Sequence, residues 1–338
     1  NVVAHLWAGG WRVAVVNALR AARYGGRSPA EELVRTKTDP ADALLLAHYG
    51  REKQPVPTAP TDAATRELTE LVRLRTRLTQ DVGDRVRQLH RAVDLTFPEF
   101  TRHVKTLDSE LAVALLGRYP TARTLAQVAP GKLAALVYDG RHRVGPELAG
   151  ALSQAAKTTV GAHHGDAYAR QVRYACEDLT TLRARLRELD DELRGVVERH
   201  AVGQHLTTIP GVGPITAACV LAEVGDFARF PDAATLASYR ARSAGLVPAI
   251  RHSGKRTPLR AGCHPVGNAR LRRGLYMATL SAVRHNRWLQ AFYHGLLERG
   301  KPKLVALTAA MRKLLSAMHS VARRRQPFVL PPAPEPAT

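Results

Sequence analysis

Apolar residues spaced three and four apart dominate this chain, and two such runs are long. In the first, Leu71, Leu74, Leu78, Val82, Val86, Leu89 and Val93 recur at helical spacing with Arg and Glu between them, until Phe97-Pro98 ends the pattern. In the second, Leu179, Leu182, Leu186, Leu189, Leu193 and Val196 alternate three and four, which is heptad spacing. Two matched stripes in one chain predict a helical coiled coil, closed either as an antiparallel hairpin or against a second subunit. Residues 101 to 165 between them read as helical and irregular, with a break at Gly161 to Gly165. Further on, Phe227 to Tyr239 predicts a short helix, and Gly267-Asn268 caps one through about Leu280, since Asn is a favoured N-cap. Trp288, Phe292, Leu296 and Leu297 mark the next apolar face. Lys301 to Arg325 reads as an amphipathic basic helix with Leu304, Leu307, Met311, Leu314, Met318 and Val321 on one side.

The N-terminal pattern differs. Val2 to Ala8 reads as a helix end stopped by Gly9-Gly10, and the β-branched run Trp11 to Asn17 suggests a buried parallel strand. Helix, glycine turn and strand make one unit of an α/β domain. Another helix follows, with Asp39 as N-cap, Pro40 at its first position and Gly50 closing it. Gln54 to Pro60 is too proline-rich for regular structure and reads as a linker. The proline-rich tail, 326–338, is expected to be disordered. The fold class expected is therefore mixed, mainly α.

One stretch departs from simple periodicity. In Thr208-Ile209-Pro210-Gly211-Val212-Gly213-Pro214, two glycines flank one apolar residue, and Pro214 then opens an apolar segment. Glycine tolerates positive φ and proline suits a first helical turn, so the text reads helix, tight hairpin, helix. Unpaired N–H groups at such a helix start attract anions, phosphate above all. An αα-hairpin that merely packs gives the same pattern.

Charge changes the balance between these readings. Lys and Arg number 50 against 29 Asp and Glu, a formal net charge of +21 over 338 residues. Such an excess favours a polyanionic partner bound in a salt-dependent way. No segment approaches the ~20 apolar residues needed to span a bilayer, and there is no secretory core. Cys176, Cys219 and Cys263 lie far apart, which suggests neither a disulfide framework nor a zinc site and fits a reducing cytoplasm.

Three sets of residues could carry chemistry. Asp39 and Asp42, three apart at a helix start, share a face and could hold Mg²⁺, or could simply cap the helix. Ser253 sits in Ile250-Arg251-His252-Ser253-Gly254-Lys255-Arg256, where surrounding cations would favour attack on a phosphodiester, or mere phosphate contact. Cys263, His264 and His252 lack standard metal-site spacing. Glu223 and Asp226 follow the glycine hairpin where a repair glycosylase could carry its acid, but aromatics form only 5% of the chain, against the snug aromatic pocket that base extrusion needs.

Taken as a set and in order, four runs resemble the insertion-sequence transposases of the IS110 type, related to the pilin-inversion site-specific recombinase. These are Val34 to Ala43 with its Thr-Asp-Pro-Ala-Asp core, Thr208 to Gly213, Gly245-Leu246-Val247-Pro248 followed by His252-Ser253-Gly254-Lys255, and Gly267-Asn268-Ala269-Arg270-Leu271-Arg272. The resemblance implies a partial ribonuclease-H/RuvC-like domain at 1–60, a helical and coiled-coil region at 61–205, and a C-terminal transposase domain with a helix-hairpin-helix at 206–325. It implies an acidic tetrad binding Mg²⁺, whose last two members are Asp39 and Asp42, and a nucleophilic serine at Ser253. The first two acids would lie upstream of Asn1. Gly211, Val212, Gly213, Arg251, Lys255, Arg256, Arg270 and Arg272 become the nucleic-acid-binding set. The implied partners are DNA, a structured guide RNA and further copies of the chain as a dimer or tetramer, in a bacterial cytoplasm close to the nucleoid. Two stretches depart from the pattern: Tyr239 to Ala244 is longer than the family's link, and Cys263-His264-Pro265 replaces Ile-Ser-Lys. With the upstream acids, these departures keep a second expectation open, a non-catalytic nucleic-acid-binding remnant; a helix-hairpin-helix repair protein is a third.

Overall fold

Segments that combine helical periodicity with good caps form helices, and the extended N-terminal run does not find a sheet. The computed structural model of the chain describes residues 2–16, 18, 21, 24, 38–238, 244–246 and 267–330. Among them no strand occurs, and the β-type pairing present is an isolated bridge between Val137 and Arg143. The chain divides into two compact units, Asn1–Val72 with Leu193–Thr338, and Arg73–Glu192.

In the first unit, α1 (Val2–Ala8) stops at Gly9-Gly10, with Gly10 at φ +79°. The strand expected next is absent. Residues 11–16 run without regular structure, leaving Trp11 69% and Val15 51% exposed. A buried parallel strand needs paired edges and apolar cover on both faces. Trp11 N–H turns back onto Leu6 O (3.0 Å), and Thr58 donates its N–H to Val13 O (2.8 Å) while its Oγ1 accepts from Val15 N–H (3.0 Å). The next helix, α2 (Asp39–Lys53), has Thr38 rather than Asp39 as its N-cap, which moves Asp39 and Pro40 one position into the first turn. It also runs through Gly50, because Gln54 takes the left-handed cap conformation (φ 40°) and its N–H closes onto Gly50 O.

Two helices of equal length, α3 (Ala63–Thr96) and a later partner α9 (Asp166–Arg199), frame the second unit. Between them come α4 (Phe100–His103), α5 (Glu110–Arg118), α6 (Ala122–Ala126), α7 (Pro130–Ala134) and α8 (Pro146–Lys157). Arg75 pairs with Asp190 at 2.5 Å and Arg85 with Asp178 at 2.8 Å, so α3 and α9 run antiparallel within one chain. Leu89, Val93 and Phe97 of the first stripe bury themselves with Val172, Cys176 and Leu179 against Phe100, Leu115, Leu116, Leu125 and Leu152. Helices α5 and α6 are capped by side chains: Ser109 Oγ accepts from Ala112 N–H, and Thr121 and Thr124 form a reciprocal capping box. At the expected break, a Cβ on Gly161 would lie 2.8 Å from Thr96 O, so only glycine fits where the chain passes the end of α3.

The remainder of the first unit comprises α10 (Ala201–Thr207), α11 (Pro214–Val224), a 3₁₀ turn (Phe227–Arg229), α12 (Ala233–Ala237), α13 (Ala269–His285), α14 (Arg287–Glu298) and α15 (Lys303–Arg324). Helix α15 is the centre, with α10, α12, α13 and α14 packed on it. Its buried face runs from Ala306 to Ala322, while Leu304 of the expected stripe is 64% exposed, one turn before the packing begins. Buried His319 is satisfied by Phe230 O at 2.9 Å. Of the tail expected to be disordered, 326–330 is described: Phe328 N–H donates to Thr208 Oγ1 and its ring lies against Trp288. Among the described residues, no helix is long and apolar enough to cross a membrane.

Candidate functional site

The glycine stretch folds as two helices joined by a tight turn. Gly211 takes φ +93°, and a Cβ there would lie 2.5 Å from Ala282 Cα, so the turn presses its backbone onto α13. Asn286, which is 1% exposed, donates from Nδ2 to Pro210 O and fastens the same turn. Val212 between the glycines is a core residue, 4% exposed, and its N–H is taken by Ile209 O at 2.9 Å. Gly213 is different. It is the exposed N-cap of α11 at φ −84°, and a Cβ there would meet nothing within 4 Å. The first turn of a helix has no intrahelical partners for its N–H groups and carries the positive end of the dipole. Gly213, Ile215 and Thr216 therefore present an anion-accepting end; Pro214 contributes no N–H.

Asp39 and Asp42 lie in the first turn of α2, and both are exposed. Their donor chemistry suits a hard divalent cation, which takes oxygen ligands and is commonly held by one or two carboxylates with substrate phosphates completing the shell. Two carboxylates one turn apart fit that role as part of a ligand set. Among the described residues, no group of three or more acidic, His or Cys side chains is placed to hold a metal alone.

Arg270 is exposed on the first turn of α13. Arg272 is half-buried and spends one N–H on Ala244 O at 3.1 Å. Of the acids considered for a repair enzyme, Asp226 caps the 3₁₀ turn by accepting from Ala228 N–H, and Glu223 is 6% exposed with Oε2 accepting from Asn268 Nδ2 at 2.5 Å. Sequence reasoning did not pair Glu223 with Asn268. The signal was a lone carboxylate in an otherwise uncharged helix, Pro214–Val224. Ser253, Arg251, Lys255, Arg256, His252, Cys263, His264 and most of the departing stretch Tyr239 to Ala244 lie outside the described residues.

In the second unit, a cavity of about 730 Å³ is lined by Arg85, Arg87, Arg91 and Arg185 but also by Asp81, Asp84 and Asp178. Arg85 is paired with Asp178 and Arg87 with Asp84, so most of its positive charge is offset internally.

Comparison with known proteins bears on these residues directly. Residues 203–294, which include the glycine turn and α13, match a family model described as "Transposase IS116/IS110/IS902 family". Residues 1–98, which include Asp39 and Asp42, match a second model described as "Transposase". A Streptomyces coelicolor protein named "Mini-circle putative transposase for IS117" is 32% identical, over 97% of this chain and 80% of its own length. A second protein of that organism, from insertion element IS110, is 28% identical over 93% of this chain and 76% of its own. The pilin gene-inverting protein of Moraxella bovis is 35% identical over 36% of this chain and 37% of its own length.

Proposed function

Since this chain belongs to the IS116/IS110/IS902 family of transposases, we propose that it moves an insertion sequence through serine attack on DNA phosphodiesters. The observation that carries the reading is the placement of Asp39 and Asp42, inside the matched transposase segment, in one exposed helical turn. Ser253 Oγ forms a new bond to phosphorus as the bond to a deoxyribose oxygen breaks. The serine gives up its proton and the leaving oxygen takes one up. The phosphoserine link keeps the energy of the broken bond for rejoining, so no external energy source is required. Arg251, Lys255 and Arg256 surround Ser253 in sequence and offset the charge that develops on phosphorus-bound oxygens. Asp39 and Asp42, with substrate phosphates, would hold Mg²⁺, which would supply Lewis-acid polarisation at the scissile phosphate.

The exposed start of α11 at Gly213 and the guanidinium of Arg270 act on the DNA backbone, fixing register without reading bases. In this reading the segment around Gly211 and Gly213 is a helix-hairpin-helix clamp, and target choice comes from a structured guide RNA bound to a homo-oligomer in the bacterial cytoplasm. The pilin-inverting relative supports a rejoining rather than a purely hydrolytic outcome.

The experiment is a nicked suicide duplex carrying the joined ends of the element that encodes the chain, supplied with that element's transcript and Mg²⁺. A protein–DNA adduct that survives denaturation and is absent in Ser253→Ala is the expected result. An adduct unchanged in Ser253→Ala refutes the serine, and salt-sensitive binding with no adduct leaves a non-catalytic binding protein.

A further inference from the structure

Residues 244–246 and 267–268 are the two ends between which the Ser253 segment runs, and both are fastened with unusual care. On one side, Ala244, Gly245 and Leu246 donate backbone N–H bonds to Leu236 O, Ser238 O and Ala237 O at 2.9, 3.0 and 2.9 Å. Ala244 and Leu246 are fully buried. On the other side, Asn268 Oδ1 accepts from Arg270 and Leu271 N–H at 3.0 and 3.1 Å and starts α13. The two sides touch. A Cβ on Gly267 would lie 2.7 Å from Gly245 Cα, and Arg272 of α13 reaches back to Ala244 O. Both glycines take positive φ, +63° at Gly245 and +137° at Gly267, so the contact demands glycine for conformation as well as space.

Glu223 ties this junction to α11. Its Oε2 accepts from Asn268 Nδ2, while its Oε1 is buried with no hydrogen-bond partner among the described residues. A buried carboxylate with one oxygen unsatisfied is a poor stabiliser, and an apolar residue of similar size would serve packing as well or better. What the carboxylate adds is direction: it fixes the Asn268 side chain, and through it the start of α13 and the Gly245–Gly267 contact.

We infer that Glu223 and Asn268 are positioning residues for the strand-breaking reaction, holding together the two ends of the chain segment that carries Ser253. The inference rests on the serine reading above. A nucleophile misplaced by about 1 Å loses on the order of 100-fold in rate while substrate contacts made elsewhere persist. The DNA contact proposed at Gly213 lies at the opposite end of α11 from Glu223 and does not pass through its carboxylate, so binding there persists while chemistry slows.

The test uses the full chain in the adduct assay, with DNA affinity from a mobility shift and folded stability from urea unfolding measured alongside. Glu223→Leu removes the acceptor and the buried charge together. It keeps or raises stability, keeps DNA affinity within about twofold, and slows adduct formation by at least about tenfold. Asn268→Asp sets two carboxylates against each other and slows the reaction similarly, whereas the double variant Glu223→Gln/Asn268→Asp restores the donor–acceptor pair in reverse and recovers most of the rate. A structural role alone makes rate follow stability, so the reaction slows only in variants whose urea midpoint falls. A Ser253-dependent adduct formed at the parental rate by folded Glu223→Leu overturns the positioning role and leaves the serine standing. No Ser253-dependent adduct in the parent chain overturns both.

Discussion

The two glycines of the α10–α11 turn look equivalent in sequence, yet their substitutions have opposite consequences. Alanine at Gly211 must adopt φ +93° and place a methyl 2.5 Å from Ala282 Cα and Cβ. Forcing an L-residue into left-handed backbone costs about 1–2 kcal/mol, and an extra methyl in a filled contact costs about 1–3 kcal/mol. Together these remove roughly 2–5 kcal/mol from a native state whose whole stability is on the order of 5–15 kcal/mol. Alanine at Gly213 meets nothing within 4 Å at φ −84° and loses only the helix-start preference, about 0.5–1 kcal/mol. Trp7, Trp11 and Trp288 all lie in the first unit, so tryptophan fluorescence during urea unfolding reports that unit alone. With a slope of about 2 kcal/mol/M, Gly211→Ala shifts the midpoint down by about 1 M or more, and Gly213→Ala by about 0.5 M or less. On the phosphate contact proposed for the start of α11, the order reverses in a mobility shift with DNA, because a methyl at Gly213 stands in its way. A Gly211→Ala midpoint within about 0.3 M of the parent shows that the turn does not press on α13, and the account of this stretch fails.

Arg270→Gln lowers the slope of log affinity against log salt by about one and weakens binding to unrelated DNA sequences alike; an unchanged slope removes Arg270 from the phosphate contacts. Cys176 is buried among Leu89, Leu115 and Leu179 with its thiol pushed up to about 12 by that burial, so it stays unmodified by a thiol reagent at pH 8 until the chain unfolds. Labelling of the native Cys176 peptide, read by mass spectrometry, contradicts this. Asp139 accepts from the His142 and Arg141 N–H groups and from the His142 ring, which hold its carboxyl down from 3.8 to about 2. Because the folded value is the lower one, the turn's hold is complete above the ordinary carboxylate range and is lost as pH falls from about 4 through about 2. The amide signals of Arg141 and His142 therefore titrate with a midpoint near 2, and a midpoint of 3.8 refutes the assignment.

Much of the helical layout was legible because it is local. The stripe from Leu71 to Val93 and its end at Phe97-Pro98, the cap at Asn268 and the glycine turn each follow from neighbours within a few residues. Misreadings arose where distant partners decide. Trp11 to Val16 has strand composition, but composition cannot supply a neighbouring strand, and the described residues hold none. Leu304 matches the spacing of Leu307 and Met311 yet lies beyond the reach of the packed helices. Thr38 took the cap from Asp39 because only its backbone is extended, at φ −131° and ψ 152°.

The sequence alone determined the helices, the polyanionic bias of a +21 chain, and the acidic pair and basic serine segment by which the family is recognisable. It could not determine which of two similar glycines is pressed against α13, since that depends on Ala282 crossing the turn. Nor could it pair Glu223 with Asn268, or Gly245 with Gly267. Those contacts join residues far apart in the chain, and they exist only once α11, α12 and α13 have packed into one unit. Periodicity encodes which face of a helix seeks cover. Which residue meets which across the cover is fixed by side-chain volumes and hydrogen-bond partners that come together only in the folded chain.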